Sequence, residues 1–359
     1  MEANISIHDL LNQTINNHAS DLHIVAGSKP ILRINGLLRQ LENYPELPKE
    51  LTRRLILELL TEQQKDIFIA NRSIDFSYGF GDGNYGDRGR FRINAFFQRG
   101  TMAASLRLLP ATVKTIEELH LPKICHTFSG FRQGFVLIAG PTGHGKTTTI
   151  ASMVNEINMT RSENIITIED PIEYVYPKGK SIISQREIGQ DTHSWNEALK
   201  SILREDPNVV VIGEMRDPES IASAITIAET GHLVFSTLHT NSASQSIDRI
   251  IDTFPENQQN QARIQLSSAL AGIISQRLIP SINGTRVVAT EILVANNAIR
   301  SNIREAKTHL IDSILETSTD AGMNTMEASL ATLVRNGVVT LEIAKSYVLR
   351  QELFNKLLG

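Results

Sequence analysis

The sequence predicts an α/β fold in which helices cover both faces of a parallel sheet. Four short and continuous apolar runs have the character of strands that are buried on both sides, and they occupy residues 135–139, 165–168, 209–212 and 233–235. Segments with helical periodicity separate these runs, at residues 148–158, 196–204 and 218–230. Because this alternation begins only at residue 135, we expect a different domain in front of it.

The preceding region mixes one helical segment with short strand-like runs. Residues 51–70 place leucine and isoleucine at helical spacing. Residues 31–38 and 90–97 are typical of strands, and in the second of them apolar and polar side chains alternate. The glycine-rich segment 79–89 predicts a turn or hairpin tip between the helix and the second strand.

Four consecutive regions follow from these patterns. From about residue 243 onward the pattern is mostly helical, apart from a strand-like segment at 286–293. The boundaries that we predict are a small α+β domain at 1–109, a proline-bounded linker at 110–122, an α/β domain at 123–295 and a helical C-terminal region at 296–359.

Composition excludes several classes of protein. Lys and Arg number 35 against 39 Asp and Glu, so the formal net charge is -4. A protein that binds nucleic acid mainly through phosphate contacts usually has a basic excess, and we therefore expect no nucleic-acid partner. The single cysteine, Cys125, excludes an internal disulfide framework and a site built from several thiolates. No segment has the length of a membrane span and residues 1–11 lack a basic leader, so we expect a soluble, cytosolic chain.

A phosphate-binding loop follows the first apolar run directly. Its glycines allow the backbone to curl so that several N–H groups point at one phosphate. Lys146 supplies a mobile positive charge to the β and γ phosphates, and the hydroxyl of Thr147 is a ligand for Mg²⁺. The residues that we predict to contact the nucleotide are Gly140, Pro141, Thr142, Gly143, His144, Gly145, Lys146, Thr147 and Thr148.

Acidic residues and a histidine follow the other predicted strands. Glu169 and Asp170 follow the second apolar run, Glu214 follows the third and His239 follows the fourth. The carboxyl ends of parallel strands face the same crevice as the phosphate-binding loop. One carboxylate near Mg²⁺ and a second near the attacking water are what nucleotide hydrolysis requires. The residues alone therefore predict hydrolysis of ATP or GTP.

Six ordered motifs give the sequence a family resemblance that covers nearly the whole chain. They lie at residues 19–24 (ASDLHI), 89–96 (GRFRINAF), 166–173 (ITIEDPIE), 203–217, 230–240 and 298–305 (AIRSNIRE). With these motifs and the phosphate-binding loop, the sequence resembles the type IV pilus retraction ATPases, which are the PilT branch of the type II/type IV secretion ATPase superfamily. His144 stands where that family usually has serine.

The resemblance implies a PAS-like N-terminal domain, a RecA-like P-loop ATPase domain and a helical C-terminal tail. It implies a homohexameric ring that uses ATP and Mg²⁺ to power pilus disassembly, and hence twitching motility. The ring would work on the cytoplasmic side of the inner membrane, associated with that membrane through a platform protein.

The same resemblance implies roles for individual residues. Glu169 would orient or activate water and Glu214 would act at Mg²⁺ together with Thr147, although the opposite division between the two glutamates stays open. His239 would couple the nucleotide state to the neighbouring subunit, and Arg92 and Arg107 would reach the phosphates across a domain or subunit boundary. The supporting residues would be Asp170, His232, Arg204, Arg300 and Arg304.

Several alternatives remain open at this point. Assembly motors of the superfamily commonly carry a four-cysteine zinc element, which one cysteine cannot supply, and this favours retraction. A traffic ATPase of a type IV secretion apparatus and an accessory paralogue without motor activity would have similar core motifs. A nucleic-acid translocase is a remote alternative, since the chain is acidic and only 5% of its residues are aromatic.

Overall fold

The structure is a computed structural model that describes residues 5–81, 88–110, 112–215 and 217–359. The chain divides into two compact units. The first unit consists of Met1–Thr112 and Pro171–Val175, and the second consists of Val113–Asp170 and Tyr176–Gly359. Within the described ranges, no helix combines the length and the apolar character that crossing a membrane would require.

The first unit is built on a six-stranded antiparallel sheet with helices. Its helices are α1 (Ile7–Asn16), α2 (Lys49–Leu57) and α3 (Glu62–Asn71). Its strands are β1 (Asp21–Val25), β2 (Ile31–Ile34), β3 (Leu37–Gln40), β4 (Ser73–Phe80), β5 (Gly89–Gln98) and β6 (Thr101–Leu108). The strand order is β3-β2-β1-β6-β5-β4, and each neighbouring pair is antiparallel.

Local turn chemistry divides two elements that periodicity alone predicts as continuous. The segment 51–70 forms α2 and α3, because the Thr61 hydroxyl and the Gln64 side chain form a reciprocal cap that starts a new helix. The segment 31–38 forms the β2–β3 hairpin, because Asn35 and Gly36 adopt positive φ angles of 51° and 81°. The predicted strand 90–97 is confirmed within β5, whereas residues 82–87 of the predicted glycine-rich turn lie outside the described residues.

The second unit contains a seven-stranded sheet in the order β13-β12-β7-β11-β10-β8-β9, in which only β13 runs antiparallel to its neighbour. The strands are β7 (Gly134–Ala139), β8 (Asn164–Glu169), β9 (Ile182–Glu187), β10 (Val209–Ile212), β11 (Leu233–Leu238), β12 (Leu270–Pro280) and β13 (Arg286–Val294). This parallel core confirms the predicted α/β fold. The strands β9 and β12 are absent from the sequence-based prediction.

Helices surround this sheet and continue beyond it. Those between and beside the strands are α4 (Ile124–Ser129), α5 (Lys146–Thr160), α6 (Trp195–Ile202), α7 (Pro218–Glu229), α8 (Ala243–Asp252) and α9 (Glu256–Ala269). Beyond β13 follow α10 (Asn297–Arg304), α11 (Ile311–Thr317), α12 (Met326–Arg335), α13 (Leu341–Tyr347) and α14 (Gln351–Leu358). The last three helices bury Met326, Leu330 and Phe354 in a cluster with Ile279 and Ala289 of the β12–β13 hairpin, which attaches the C-terminal region to the sheet.

Candidate functional site

The loop between β7 and α5 has a backbone that only glycine permits. A Cβ atom on Gly140 would lie 2.4 Å from the carbonyl oxygen of Gln276, so β12 passes directly behind the loop. Gly143 and Gly145 adopt φ angles of 78° and 82°, in the region that disfavours other residues. The loop therefore curls as the phosphate-binding pattern predicts.

The N-terminus of α5 favours an anion. Its N-cap is Gly145, which has no side chain to accept a hydrogen bond from the amides of the first turn. Those amides and the helix dipole favour a negatively charged group at this position. A phosphate therefore fits this end of the helix.

Lys146 is the first residue of α5 and is almost completely buried. Its Nζ atom donates hydrogen bonds to the carbonyl oxygens of Gly140, at 2.8 Å, and of Pro141, at 3.0 Å. The same atom lies 3.3 Å from Nδ1 of His239. A buried ammonium interacts strongly with an anionic ligand, so the position of Lys146 suits a phosphate.

His144 attaches the loop to β12. Its Nδ1 atom accepts a hydrogen bond of 3.0 Å from the backbone N–H of Leu278, and its carbonyl oxygen accepts one of 2.7 Å from the Gln276 side chain. The hydroxyl of Thr149 donates a hydrogen bond of 2.9 Å to the oxygen of the same Gln276 side chain. Burial and the nearby Arg277 lower the pKa of His144, which keeps Nδ1 available as an acceptor. His144 therefore has a structural contact that its position in the motif does not predict.

Two predicted carboxylates lie at the ends of adjacent parallel strands. Glu169, at the end of β8, is buried and accepts hydrogen bonds from the Thr167 hydroxyl at 2.6 Å and the Gln185 amide at 3.1 Å. Asp170, the next residue, is exposed. Glu214 follows β10, whose end is joined to β11 by the hydrogen bond from the Thr237 hydroxyl to the Gly213 carbonyl oxygen.

His239 connects the phosphate-binding loop to Glu214. Its Nδ1 atom lies 3.2 Å from the Thr142 hydroxyl and 3.3 Å from the Lys146 ammonium, and its Nε2 atom lies 3.2 Å from a Glu214 oxygen. Because an ammonium can only donate, Nδ1 accepts and the proton of a neutral ring is on Nε2, facing Glu214. A cation, an imidazole and a carboxylate thus meet where the strands end.

The other residues of the second unit that the sequence singles out lie away from this cluster. His232 precedes β11 and therefore lies at the opposite end of that strand from His239, with its Nδ1 atom 2.9 Å from the carbonyl oxygen of Ile227. Arg300 donates to the carbonyl oxygens of Ser267 and Ser268 at the end of α9. Two further arginines are exposed, Arg204 after α6 and Arg304 at the end of α10.

The arginines predicted to reach phosphates lie side by side on the sheet of the first unit. Arg92 of β5 and Arg107 of β6 are register partners, and both side chains are exposed. The Nε atom of Arg107 donates to Asp21 at 3.0 Å. Burial by itself would raise the pKa of Asp21, but hydrogen bonds from Ser20 and Arg107 outweigh it and lower that pKa. Asp21, which lies in the motif 19–24, therefore orients Arg107.

The chain has extensive similarity to known proteins. The family described as "Type II/IV secretion system protein" matches residues 3–345. A twitching motility protein of Neisseria gonorrhoeae is 44% identical over 89% of this chain and 84% of its own length. The type IV pilus ATPase PilT of Pseudomonas aeruginosa, described as a retraction ATPase, is 42% identical over 95% of this chain and 97% of its own length. The crystal structure of the pilus retraction motor PilT with bound ADP superposes with a TM-score of 0.91 at 45% identity, and it covers 98% of this chain and 99% of that chain.

Proposed function

This chain belongs to the type II/IV secretion system protein family, and we propose that it is an ATP-hydrolysing motor that retracts type IV pili. Its similarity to PilT proteins covers nearly the whole of both chains, so it includes the N-terminal unit as well as the ATPase core. The observation that carries the proposal is the meeting of Lys146, His239 and Glu214 at the phosphate-binding loop.

The residues present fit a magnesium nucleotide. The amides of the glycine loop and the Lys146 ammonium bind the phosphates. The described residues contain no group of three or more His, Cys, Asp or Glu side chains that could hold a metal by themselves. Thr147 in the first turn of α5 and Glu214 would therefore hold Mg²⁺ together with phosphate oxygens. When bound, Mg²⁺ neutralises charge that develops on the phosphates.

Glu169 is suited to orienting and deprotonating the attacking water. The hydroxyl of Thr167 and the amide of Gln185 fix one of its carboxylate oxygens, which pre-orients the group. His239 contacts both Lys146 and Glu214, so its contacts change when a phosphate attracts the ammonium. His239 is therefore the residue whose contacts change with the nucleotide state and couple it to the rest of the chain.

Separate substitutions of the two glutamates distinguish their roles. We expect Glu169→Gln to retain binding of magnesium nucleotide and to lower kcat by about 10²- to 10⁴-fold, because it removes the base. We expect Glu214→Gln to increase the Mg²⁺ concentration needed for half-maximal nucleotide binding, because it removes a ligand. Both are measured by nucleotide binding and phosphate release over a Mg²⁺ titration.

Glu197→Gln, at an exposed position in α6, is the matched control and should behave like the unmodified protein. If Glu214→Gln lowered kcat and Glu169→Gln increased the Mg²⁺ requirement, Glu214 would be the base and Glu169 the magnesium ligand. Normal turnover in Glu169→Gln would remove that residue from the chemistry.

Retraction requires a ring and a membrane partner. The proposed assembly is a homohexamer in which Arg92 and Arg107 reach nucleotide phosphates across a domain or subunit boundary, so that hydrolysis depends on ring geometry. Its place is the cytoplasmic face of the inner membrane, and its partner there is the pilus platform protein. A net charge of -4 supports a protein partner over nucleic acid.

Deletion in the native cell tests the function directly. Loss of a retraction motor should leave hyperpiliated cells that do not twitch, and the unmodified gene should restore twitching whereas a Lys146→Ala gene should not. Bald cells would assign the chain to pilus assembly. Normal pili with failed effector delivery would assign it to a type IV secretion apparatus.

A further inference from the structure

Glu291 is a buried carboxylate that the proposed chemistry does not use. It lies in β13 with only 2% of its surface exposed. Its Oε1 atom accepts a hydrogen bond of 2.7 Å from the backbone N–H of Ala243, the first residue of α8. The N-cap of that helix, Ser242, accepts instead from Gln245. Glu291 therefore stabilises an amide at the helix N-terminus to which the N-cap side chain is not hydrogen-bonded.

The helix that Glu291 holds begins immediately after the loop that carries His239. The hydroxyl of Ser275, the register partner of Glu291 on β12, donates to the Asn241 carbonyl oxygen at 3.1 Å. The end of the loop is thus fixed by two residues on adjacent strands. Gln276, the next residue on β12, supports the phosphate-binding loop from behind. The β12–β13 hairpin therefore positions both sides of the contact between His239 and Lys146.

The second carboxylate oxygen of Glu291 lies near Arg350, which connects it to the C-terminal helices. The guanidinium lies 3.8 Å from Glu291, and it donates hydrogen bonds of 2.8 and 3.2 Å to the fully buried carboxylate of Glu327 on α12. Two carboxylates of α11 complete the surroundings, Glu316 at 3.2 Å and Asp312 at 4.0 Å. One cation is therefore shared among four acidic side chains.

We propose that Glu291 is a positioning residue for nucleotide hydrolysis, which holds the His239 loop in place and connects it through Arg350 to the C-terminal helices. This inference rests on the proposed ATPase function. It makes the arrangement at the nucleotide depend on Glu327 of α12 and on Arg350, the residue before α14, neither of which belongs to the phosphate site.

The charge of Glu291 is sensitive to pH near neutrality. Burial raises its pKa to about 7; the Ala243 N–H and Arg350 oppose this rise, whereas Asp312 and Glu327 add to it. The carboxylate is ionised above that pH and protonated below it. An ionised carboxylate is the stronger acceptor at a helix N-terminus, so its hold on α8 weakens as the pH falls through about 7.

Glu291→Gln keeps the shape of the side chain and removes its charge. At about pH 8 we expect kcat for ATP to fall on the order of tenfold with the nucleotide KM changed less than about twofold. The unmodified protein should lose activity through a group that titrates near 7, and this component should be missing from the Glu291→Gln profile. Arg350→Gln should move the same component to higher pH. Glu316→Gln, which removes an exposed carboxylate from the same guanidinium, is the control and should match the unmodified protein.

Hydrogen exchange of residues 239–246 gives a readout that does not depend on activity. We expect faster exchange of this segment in Glu291→Gln than in Glu316→Gln, because only the first variant loses the charged acceptor. Equal exchange in the two variants, or a Glu291→Gln pH profile that coincides with that of the unmodified protein, would overturn the inference. An unmodified protein that releases no phosphate would contradict the proposed ATPase function, and the exchange comparison would still decide the role of Glu291.

Discussion

Lys146→Ala should lower the rate of ATP hydrolysis by at least about 10²- to 10³-fold. Lys146 is 7% exposed, and its ammonium donates hydrogen bonds to two backbone carbonyl oxygens and lies 3.3 Å from the ring of His239. In that position it stabilises negative charge on a phosphate far more than a solvated lysine would. Phosphate release from purified protein with ATP and Mg²⁺ measures the effect.

Lys178→Ala is the matched control for this substitution, since Lys178 is an exposed lysine of the same unit. It should release phosphate at the rate of the unmodified protein. The melting temperature of Lys146→Ala should be recorded as well, because alanine removes a buried side chain. Phosphate release by Lys146→Ala equal to that of the control would contradict the proposed enzymatic function.

The parts of the site that the sequence predicts are those fixed by local chemistry. The glycines of the phosphate-binding loop specify its curl, and Lys146 follows them at fixed spacing. The continuous apolar runs identify strands that are buried on both faces, and polar residues directly after such strands share one edge of the sheet. Glu214 and His239 were placed together by this argument, and they lie 3.2 Å apart.

The contacts that the sequence does not predict join residues that are distant in the chain. His144 and Leu278 are separated by 134 positions, and Asp21 and Arg107 by 86. Both contacts require a known strand order, which periodicity does not provide. The strand β12 is hard to predict for a related reason. Its eleven residues follow a helix directly and include Ser275, Gln276 and Arg277 among the apolar ones, so they lack the continuous apolar run of the other central strands.

The edge strand β9 shows a second limit of periodicity. Its residues Ile182–Glu187 include four polar side chains among six, and Ile182 is exposed. An edge strand of this kind lacks the continuous apolar run of the buried strands. Yet it supplies Gln185, which holds Glu169 at 3.1 Å. The sequence pattern therefore does not identify Gln185, which orients the proposed base.

Arg107→Ala should retain nucleotide binding and lose hydrolysis by about 10³- to 10⁵-fold, if an arginine of the first unit stabilises the transferring phosphoryl group. The phosphate-binding loop belongs to the second unit, so its amides and Lys146 still bind nucleotide. The substitution does not leave Asp21 without partners, since the Ser20 hydroxyl donates to it at 2.8 Å and Arg33 lies 3.6 Å away. The sheet should therefore still fold.

Arg39→Ala, at an exposed position on β3 of the same sheet, is the control. Nucleotide affinity and phosphate release, measured on both variants, separate binding from chemistry. Unchanged turnover in Arg107→Ala would exclude that arginine, and the same pair of measurements on Arg92→Ala would then decide whether its register partner supplies the charge.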